Sequence, residues 1–307
     1  MTSTPAPSLR RRRSGRSEAL AGWLFALPWL VKLGLLTLLP LVATIAMGFM
    51  TMPITGMPRW VGMANYDQMF ADPAFLKSAQ NSLMFAFISV PIKLVLALGL
   101  ALLLHRARAL AGFYQTVFYL PFLMPAVAGS IVFILLLTPG AGPVNLALEG
   151  LGLDPPDWLR DPQAALWTLV LISIWPLGVE TLVFLGGLQN IPKDVNEAAE
   201  LDSPRSWHRL VWITMPLITP MILFNLVIGI ISSFQIFVQA LVIGGTEGQP
   251  AQSTLMFMVV IYRTAFRYFN LGYAAALSTM LFLAVLAVTV LVFWSARRWV
   301  HYEGDTT

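Results

Sequence analysis

At 307 residues, with 57% hydrophobic residues, 11% charged residues and a mean hydropathy of +0.74, the chain lies far from the half-apolar, quarter-charged balance of a soluble domain and reads as an integral membrane protein. A bilayer core about 30 Å thick takes about 20 apolar residues per helix, so this length holds roughly five to seven spans and no large soluble domain. The lack of cysteine excludes a disulfide framework, thiolate metal sites, iron–sulfur ligation and a cysteine nucleophile, and the net charge of +4 is read by position, because basic loops also orient membrane proteins.

The first segment, Met1 to Ser17, is rich in Ser, Pro and Arg and reads as a disordered basic tail held near anionic lipid. Six apolar runs follow, at about residues 21–49, 81–104, 113–138, 164–188, 214–243 and 270–295, each long enough to span, and a short tail of residues 299–307 closes the chain. Pro28, Lys32 and Pro40 interrupt the first run. It still reads as a retained helix. It continues from Leu20 to Met50, where a signal peptide has about 7 to 15 apolar residues, and Ala43-Thr-Ile-Ala46 has the wrong spacing for a cleavage site. The connections at about residues 50–80, 139–163 and 244–269 carry Pro, Gly, Trp and Asp and read as short caps and interfacial helices, with Trp60, Trp158 and Trp167 as interfacial aromatics.

Six crossings put both termini on one side. Arg10 to Arg13, Arg16, Arg106, Arg108, Lys193, Arg205, Arg209, Arg297 and Arg298 share that side, against Arg59, Lys77, Arg160, Arg263 and Arg267 opposite. Both ends are therefore expected in the cytoplasm.

The loop at residues 190–216, between the fourth and fifth runs, is longer than an ordinary bundle connection. Pro192 at a first-turn position and the helix formers from Lys193 to Leu201 give one short helix. Ser203-Pro204 supplies an N-cap and first-turn proline for a second, running through Trp207, Leu210, Val211 and Met215. Apolar residues on otherwise polar helices call for a partner, although a solvated hairpin that only connects two spans is the plainer alternative.

Glu197-Ala198-Ala199, three residues, Ser203, nine residues and Ile213-Thr214-Met215-Pro216 resemble the EAA loop of binding-protein-dependent ABC importer permeases, E-A-A, x3, G, x9, I-x-L-P. Ser203 replaces the family glycine and Met215 the leucine. Arg16 to Leu39, Trp60-Val-Gly-Met-Ala-Asn-Tyr66, Asn81-Ser82, Phe118-Tyr-Leu-Pro121 with Pro125, Leu188-Gln-Asn-Ile-Pro192 and Gly272-Tyr-Ala-Ala275 resemble its carbohydrate branch, in particular the first permease of the maltose and glycerol-phosphate type. The resemblance runs over roughly residues 16–298. It implies an all-α integral membrane protein of the type I ABC importer permease fold, with six transmembrane helices in a domain of residues 18–298 and a cytoplasmic coupling helix. It also implies a bacterial or archaeal cytoplasmic membrane, a second homologous permease and two cytoplasmic ATPase subunits that hold ATP and Mg. An extracytoplasmic solute-binding protein and a sugar-like solute complete the system, with no cofactor on this chain and no nucleic acid. The coupling role falls on Glu197, Ala198 and Ala199, with Asp202, Ser203 and Pro204 at the break that follows.

Lys32, Lys93 and Glu180 are the ionisable residues at membrane depth, where charge is costly enough to suggest function. A structural pair of Glu180 with one lysine, or a lysine that snorkels, is the equal alternative. In the fifth run Asn225, Ser232 and Gln239 recur every seven residues, with Ser233 and Gln235 between, which lines hydrogen-bonding groups along one side of a helix. Helix–helix hydrogen bonding accounts for such a stripe. A translocation path for a polyhydroxylated solute accounts for it better, with Trp175 as the aromatic face.

No G-x-x-x-x-G-K-[ST] occurs, so the chain cannot cradle ATP as a P-loop protein does. His105, His208 and His301 are scattered, and Gly129-Ser130 lacks the second glycine of a nucleophile elbow. No enzyme is expected. The reading from another class is an autonomous ion-coupled transporter or channel that uses Glu180, Lys32 and Lys93 as a relay, but it leaves the loop at residues 190–216 without a task.

Overall fold

A computed structural model describes residues 15–53, 55–106, 111–202 and 205–301. The first span comprises α1 (Gly15–Val31), a π-helical stretch (Lys32–Leu38) and α2 (Leu39–Met47). Helix α1 thus begins inside the segment expected to be a disordered tail, the rest of which lies outside the described residues. Pro40 sits in the first turn of α2, where a missing N–H is cheapest. Its natural i−4 partner, Leu36, falls in the π-helical stretch, where the hydrogen-bond register is already shifted.

Two short strands, β1 (Met50–Thr51) and β2 (Arg59–Trp60), pair antiparallel beyond α2, a hairpin absent from the sequence expectation of caps and interfacial helices alone. Helix α3 (Ala64–Ala71) folds back against them, and its Asn65 Nδ2 donates to the carbonyls of Gly48 and Met50, each at 2.9 Å. Helix α4 (Pro73–Arg106) begins well before the expected residue 81. Asp72 accepts from the Ala74 N–H at 2.8 Å and Pro73 follows it, a combination that starts a helix.

The third run is not one straight span. Helix α5 (Ala111–Tyr119), a 3₁₀ turn (Leu120–Leu123) and α6 (Ala126–Leu137) form a pair bent by 96°. Met124, which precedes Pro125, is extended at ψ 136°, the conformation that the proline ring imposes on its neighbour. Beyond α7 (Pro143–Gly150) the fourth run divides in the same way into α8 (Pro162–Ile174) and α9 (Gly178–Gln189), bent by 49° around Trp175-Pro176-Leu177. The loop that follows is helix, break, helix, with α10 (Lys193–Asp202), α11 (Ser206–Arg209), a π-helical stretch (Leu210–Thr214) and α12 (Met215–Leu217). Helix α11 starts behind an extended Arg205 at φ −86°, ψ 112°, later than a start capped by Ser203 and Pro204, which lie outside the described residues.

The chain continues through α13 (Thr219–Phe234), α14 (Val238–Gly244), α15 (Phe257–Tyr262), a π-helical stretch (Arg263–Arg267) and α16 (Leu271–Ala296). Among the described residues Leu20–Met47, Pro73–Arg106, Thr219–Gly244 and Leu271–Ala296 are long and apolar enough to cross a membrane, and the number reaches 6 when each bent pair is taken as one span.

Helix α4 is the central column, packed on α8, α9, α13 and α15. Two apolar cores gather along it. One holds Phe85, Leu169, Met256, Val260 and Leu277, the other Ala97, Ala101, Phe184, Leu188 and Ile218. Ser89 and Lys93 on α4 lie between the two, as does Glu180, which precedes Phe184 on α9.

Next to the first core, the segment between α14 and α15 is tied to α4. Asn81 Nδ2 donates to the carbonyls of Gln252 at 2.7 Å and Leu255 at 3.1 Å, and the Phe257 N–H donates to Ser82 Oγ at 2.9 Å. Glu247 accepts from Arg263 and Arg267, each at 3.0 Å. Gly248 adopts φ +65°, and a Cβ there would lie 2.4 Å from the Leu255 backbone nitrogen. Asn81→Ala removes the side-chain donor from both carbonyls and leaves that of Gln252 with the Leu255 N–H at 3.2 Å. It is expected to cost about 1–3 kcal/mol, read as a lower unfolding midpoint and faster protease cleavage within residues 245–256. Trp158 also has a structural task, donating from Nε1 to Asn145 Oδ1 at 2.8 Å, whereas Trp60 is exposed and stacks on Phe49.

Candidate functional site

Between the two cores lies a cavity of about 250 Å³. Helix α4 contributes Phe85, Ser89 and Lys93, spaced four residues apart and so on one helix face. Helix α9 contributes Glu180. The break at Pro176 creates a helix N-terminus within the bundle, and Glu180 stands in its first turn, where a carboxylate complements the free N–H groups. Helix α13 contributes Asn225, Gly229, Ser232 and Ser233, and Gln235 and Gln239 follow.

Lys93 Nζ and Glu180 Oε1 lie 2.7 Å apart, with side chains 23% and 13% exposed. This is the length of a charge-assisted hydrogen bond. The other carboxylate oxygen, Glu180 Oε2, is buried without a hydrogen-bond partner. Asn225 Nδ2 donates to the Glu180 main-chain carbonyl at 3.2 Å and so joins α13 to α9. Gly229 allows the close approach of α13 to α4, since a Cβ there would lie 3.2 Å from Val90.

The structure therefore brings together Lys93, Glu180, Asn225, Ser232, Ser233, Gln235 and Gln239. Trp175 does not line this cavity. Its ring meets Phe133 edge-on at 5.5 Å and closes on Gly129, because the turn at Pro176 separates its direction from that of α9. The aromatic lining residue is Phe85. Lys32 is also elsewhere, exposed on the first span and with no ion pair among the described residues. The sequence stripe from Asn225 to Gln239 assumes one unbroken helix, yet the chain leaves helical geometry from Gln235 to Phe237. Ser89, Ser173 and Phe85 also line the cavity, and the four-residue spacing of Phe85 and Ser89 ahead of Lys93 was the signal available for two of them.

A second cavity, of about 290 Å³, lies at the end of the bundle near α10 and is lined by residues that include His105, Arg106, Ala199, Arg209 and Thr214. Helix α10 turns Ala199, 6% exposed, towards the bundle and leaves Glu197 and Ala198 outward. Exposed Trp207 and Trp212 lie beyond the break. Asp202 ends α10.

Residues 93–301 match the family of binding-protein-dependent transport system inner membrane components. Over nearly full length the chain is similar to the probable ABC transporter permease YesP of Bacillus subtilis strain 168, with 34% identity over 99% of each chain. It is also similar to the lactose transport system permease LacF of Rhizobium radiobacter, with 32% identity over 97% of this chain and 99% of that one. The sn-glycerol-3-phosphate transport system permease UgpA of Yersinia pestis shares 30% identity over 95% and 99%. Its fold is that of a chain in the crystal structure of a bacterial ABC transporter that imports the acidic polysaccharide alginate, with a TM-score of 0.79 at 22% identity over 93% of this chain and 97% of that one. None of these relationships supports an autonomous ion-coupled transporter, and the position of Lys32 separates the three charges that would form its relay. The chain belongs to the inner membrane components of binding-protein-dependent transport systems and is an ABC importer permease.

Proposed function

We propose that this chain forms half of the translocation pathway of an ATP-driven importer for a sugar or sugar-like solute. The observation that carries the reading is the cavity between the two cores. It is lined by serine, asparagine and glutamine side chains on helices that break or end beside it, in a family that works with binding proteins. Broken helices are tolerated at membrane depth where they line a cavity, and neutral donors and acceptors suit a polyhydroxylated solute. LacF and UgpA, related over almost the whole chain, are named for lactose and sn-glycerol-3-phosphate.

In this reading both termini and α10 lie in the cytoplasm and the chain sits in a bacterial or archaeal inner membrane. Helix α10 is the coupling helix, with Glu197, Ala198 and Ala199 presented to one of two ATPase subunits that carry ATP and Mg. ATP binding draws the ATPases together and switches the cavity between inward-facing and outward-facing states through differential binding of partners, while a solute-binding protein docks on the opposite face. The crystal structure of the alginate transporter in complex with a pentasaccharide-bound periplasmic protein, whose chain has a TM-score of 0.79 to this one, is an example of such an assembly.

The first span supports a second permease. None of its apolar window is buried within the chain, and Lys32 stands exposed near its middle, a costly position against lipid. A Cβ at Gly34 would have nothing within 4 Å, and the chain has no native cysteine. Gly34→Cys, alkylated in native membranes with a maleimide that carries a photoreactive benzophenone, is therefore expected to crosslink to a second permease on irradiation. A chain that crosslinks only to itself would count against the heteromeric pair. The reading as a whole is tested by ATP-dependent uptake in proteoliposomes: accumulation of a sugar only with ATP, the ATPases and the solute-binding protein supports it, and uptake without ATP overturns it.

A further inference from the structure

We propose that Lys93 and Glu180 are the charge filter of this half of the pathway, selecting an uncharged polyhydroxylated solute over an anionic one of the same size. The inference rests on the importer reading above and names the solute class of the same cavity.

Apart from this pair, the polar lining is serine, asparagine and glutamine. Among the described residues the lining thus contains one positive and one negative charge, held 2.7 Å apart, and is neutral as a whole. Lys93 is the more exposed of the two, and an ammonium has three donors, of which the carboxylate engages one. The others can serve solute oxygens. A hydroxyl group meets a directed donor and gives up little hydration. A solute carboxylate gives up far more, and it meets a lysine whose charge is already compensated by Glu180 behind it, so the attraction that would offset its desolvation is largely cancelled.

A pair that only fastens α4 to α9 would not need this place. Ala97 and Ala101 on α4 already pack with Phe184 and Leu188 on α9 in an apolar core, and the pair stands at the cavity wall beside that core. Glu180 is nevertheless well held where it is. It occupies the first turn of α9, which favours a negative charge, and its second oxygen has no donor, so Lys93 is its hydrogen-bonding anchor.

The test uses the complete complex of this chain, the second permease and the ATPases in nanodiscs, without the solute-binding protein, so that the pathway alone selects. The probes are a neutral disaccharide and the same disaccharide with one hydroxymethyl oxidised to a carboxylate, and their relative affinities are read by saturation-transfer NMR. The unmodified complex is expected to favour the neutral probe. Glu180→Gln removes one negative charge beside Lys93 and is expected to move the ratio at least about tenfold towards the acidic probe. Lys93→Gln combined with Glu180→Gln restores neutrality and is expected to move it back. Preference of the unmodified complex for the acidic probe overturns the proposal, as does an unchanged ratio in Glu180→Gln. Because the quantity is a ratio measured on whatever protein is folded, a loss of yield does not imitate the result. The importer reading fails separately, on sugar uptake that needs no ATP.

Discussion

Glu197→Arg is expected to abolish ATPase association and solute uptake together while leaving the permease folded. Glu197 is exposed on α10, whereas Ala199 two residues on is turned into the bundle, so the substitution changes what the helix offers to a partner without entering a core. Exposed substitutions away from special features usually change stability by no more than about 0.5 kcal/mol. At a docked interface the same change is far larger. Removing one member of a partly desolvated charge pair costs about 2–5 kcal/mol, and reversing its sign adds like-charge repulsion. About 4 kcal/mol corresponds to roughly a thousandfold loss of affinity. The measurement is purification through a tag placed after Thr307, with co-purifying chains identified by mass spectrometry and the unfolding midpoint of the permease recorded in parallel. Loss of the ATPase at an unchanged midpoint is the expected result. Retention of both the ATPase and uptake would remove the coupling role from α10 and leave it a connection between two spans.

The apolar runs were legible because a bilayer imposes a length that composition alone reveals, and the intramembrane charges because hydrocarbon tolerates so few. What periodicity could not supply was direction after a break. Trp175 and Glu180 are five residues apart, but Pro176 stands between them, and the turn sends the tryptophan to Phe133 and the glutamate to the cavity. Met124 and Pro125 likewise turn an apolar run of ample length into two helices 96° apart. Hydropathy averages over such a bend, whereas the backbone cannot. The stripe from Asn225 to Gln239 was drawn along a helix that is not continuous. Its members line one cavity although the helix is interrupted at Gln235, because α14 continues beside the same space. The Lys93–Glu180 pair was one of two readings of three charges, and only the packing of α4 on α9 selected the partner. Asn81 and Asn65 stood inside recognisable motifs, yet their task of holding carbonyls in distant loops depends on contacts that no local pattern records.

Three glycines of α9 are expected to respond to alanine in a fixed order, and the largest effect falls on Gly178. A Cβ there would lie 2.5 Å from the Phe118 carbonyl oxygen and 2.8 Å from the Tyr119 Cα. Both are backbone atoms, so no side chain can rotate out of the way and α9 must move off α5. Glu180, two residues on, would move with it and lengthen the 2.7 Å bond to Lys93. Overpacking of this kind costs about 1–3 kcal/mol where side chains can adjust, and the rigid neighbours here place Gly178→Ala at the upper end, with uptake reduced further by displacement of the pair. Gly187→Ala meets the Met221 side chain at 2.8 Å. Methionine is flexible enough to yield, so a loss of about 1 kcal/mol is expected. Gly186→Ala meets nothing within 4 Å and gains helix propensity, up to about 1 kcal/mol, so it should leave uptake unchanged and the unfolding midpoint level or raised. The ranking is read from unfolding midpoints in detergent together with ATP-dependent uptake. Equal effects of Gly178→Ala and Gly186→Ala would mean that α9 does not approach α5 as closely as this geometry requires, and the N-terminal turn that positions Glu180 would then have to be held by something other than that contact.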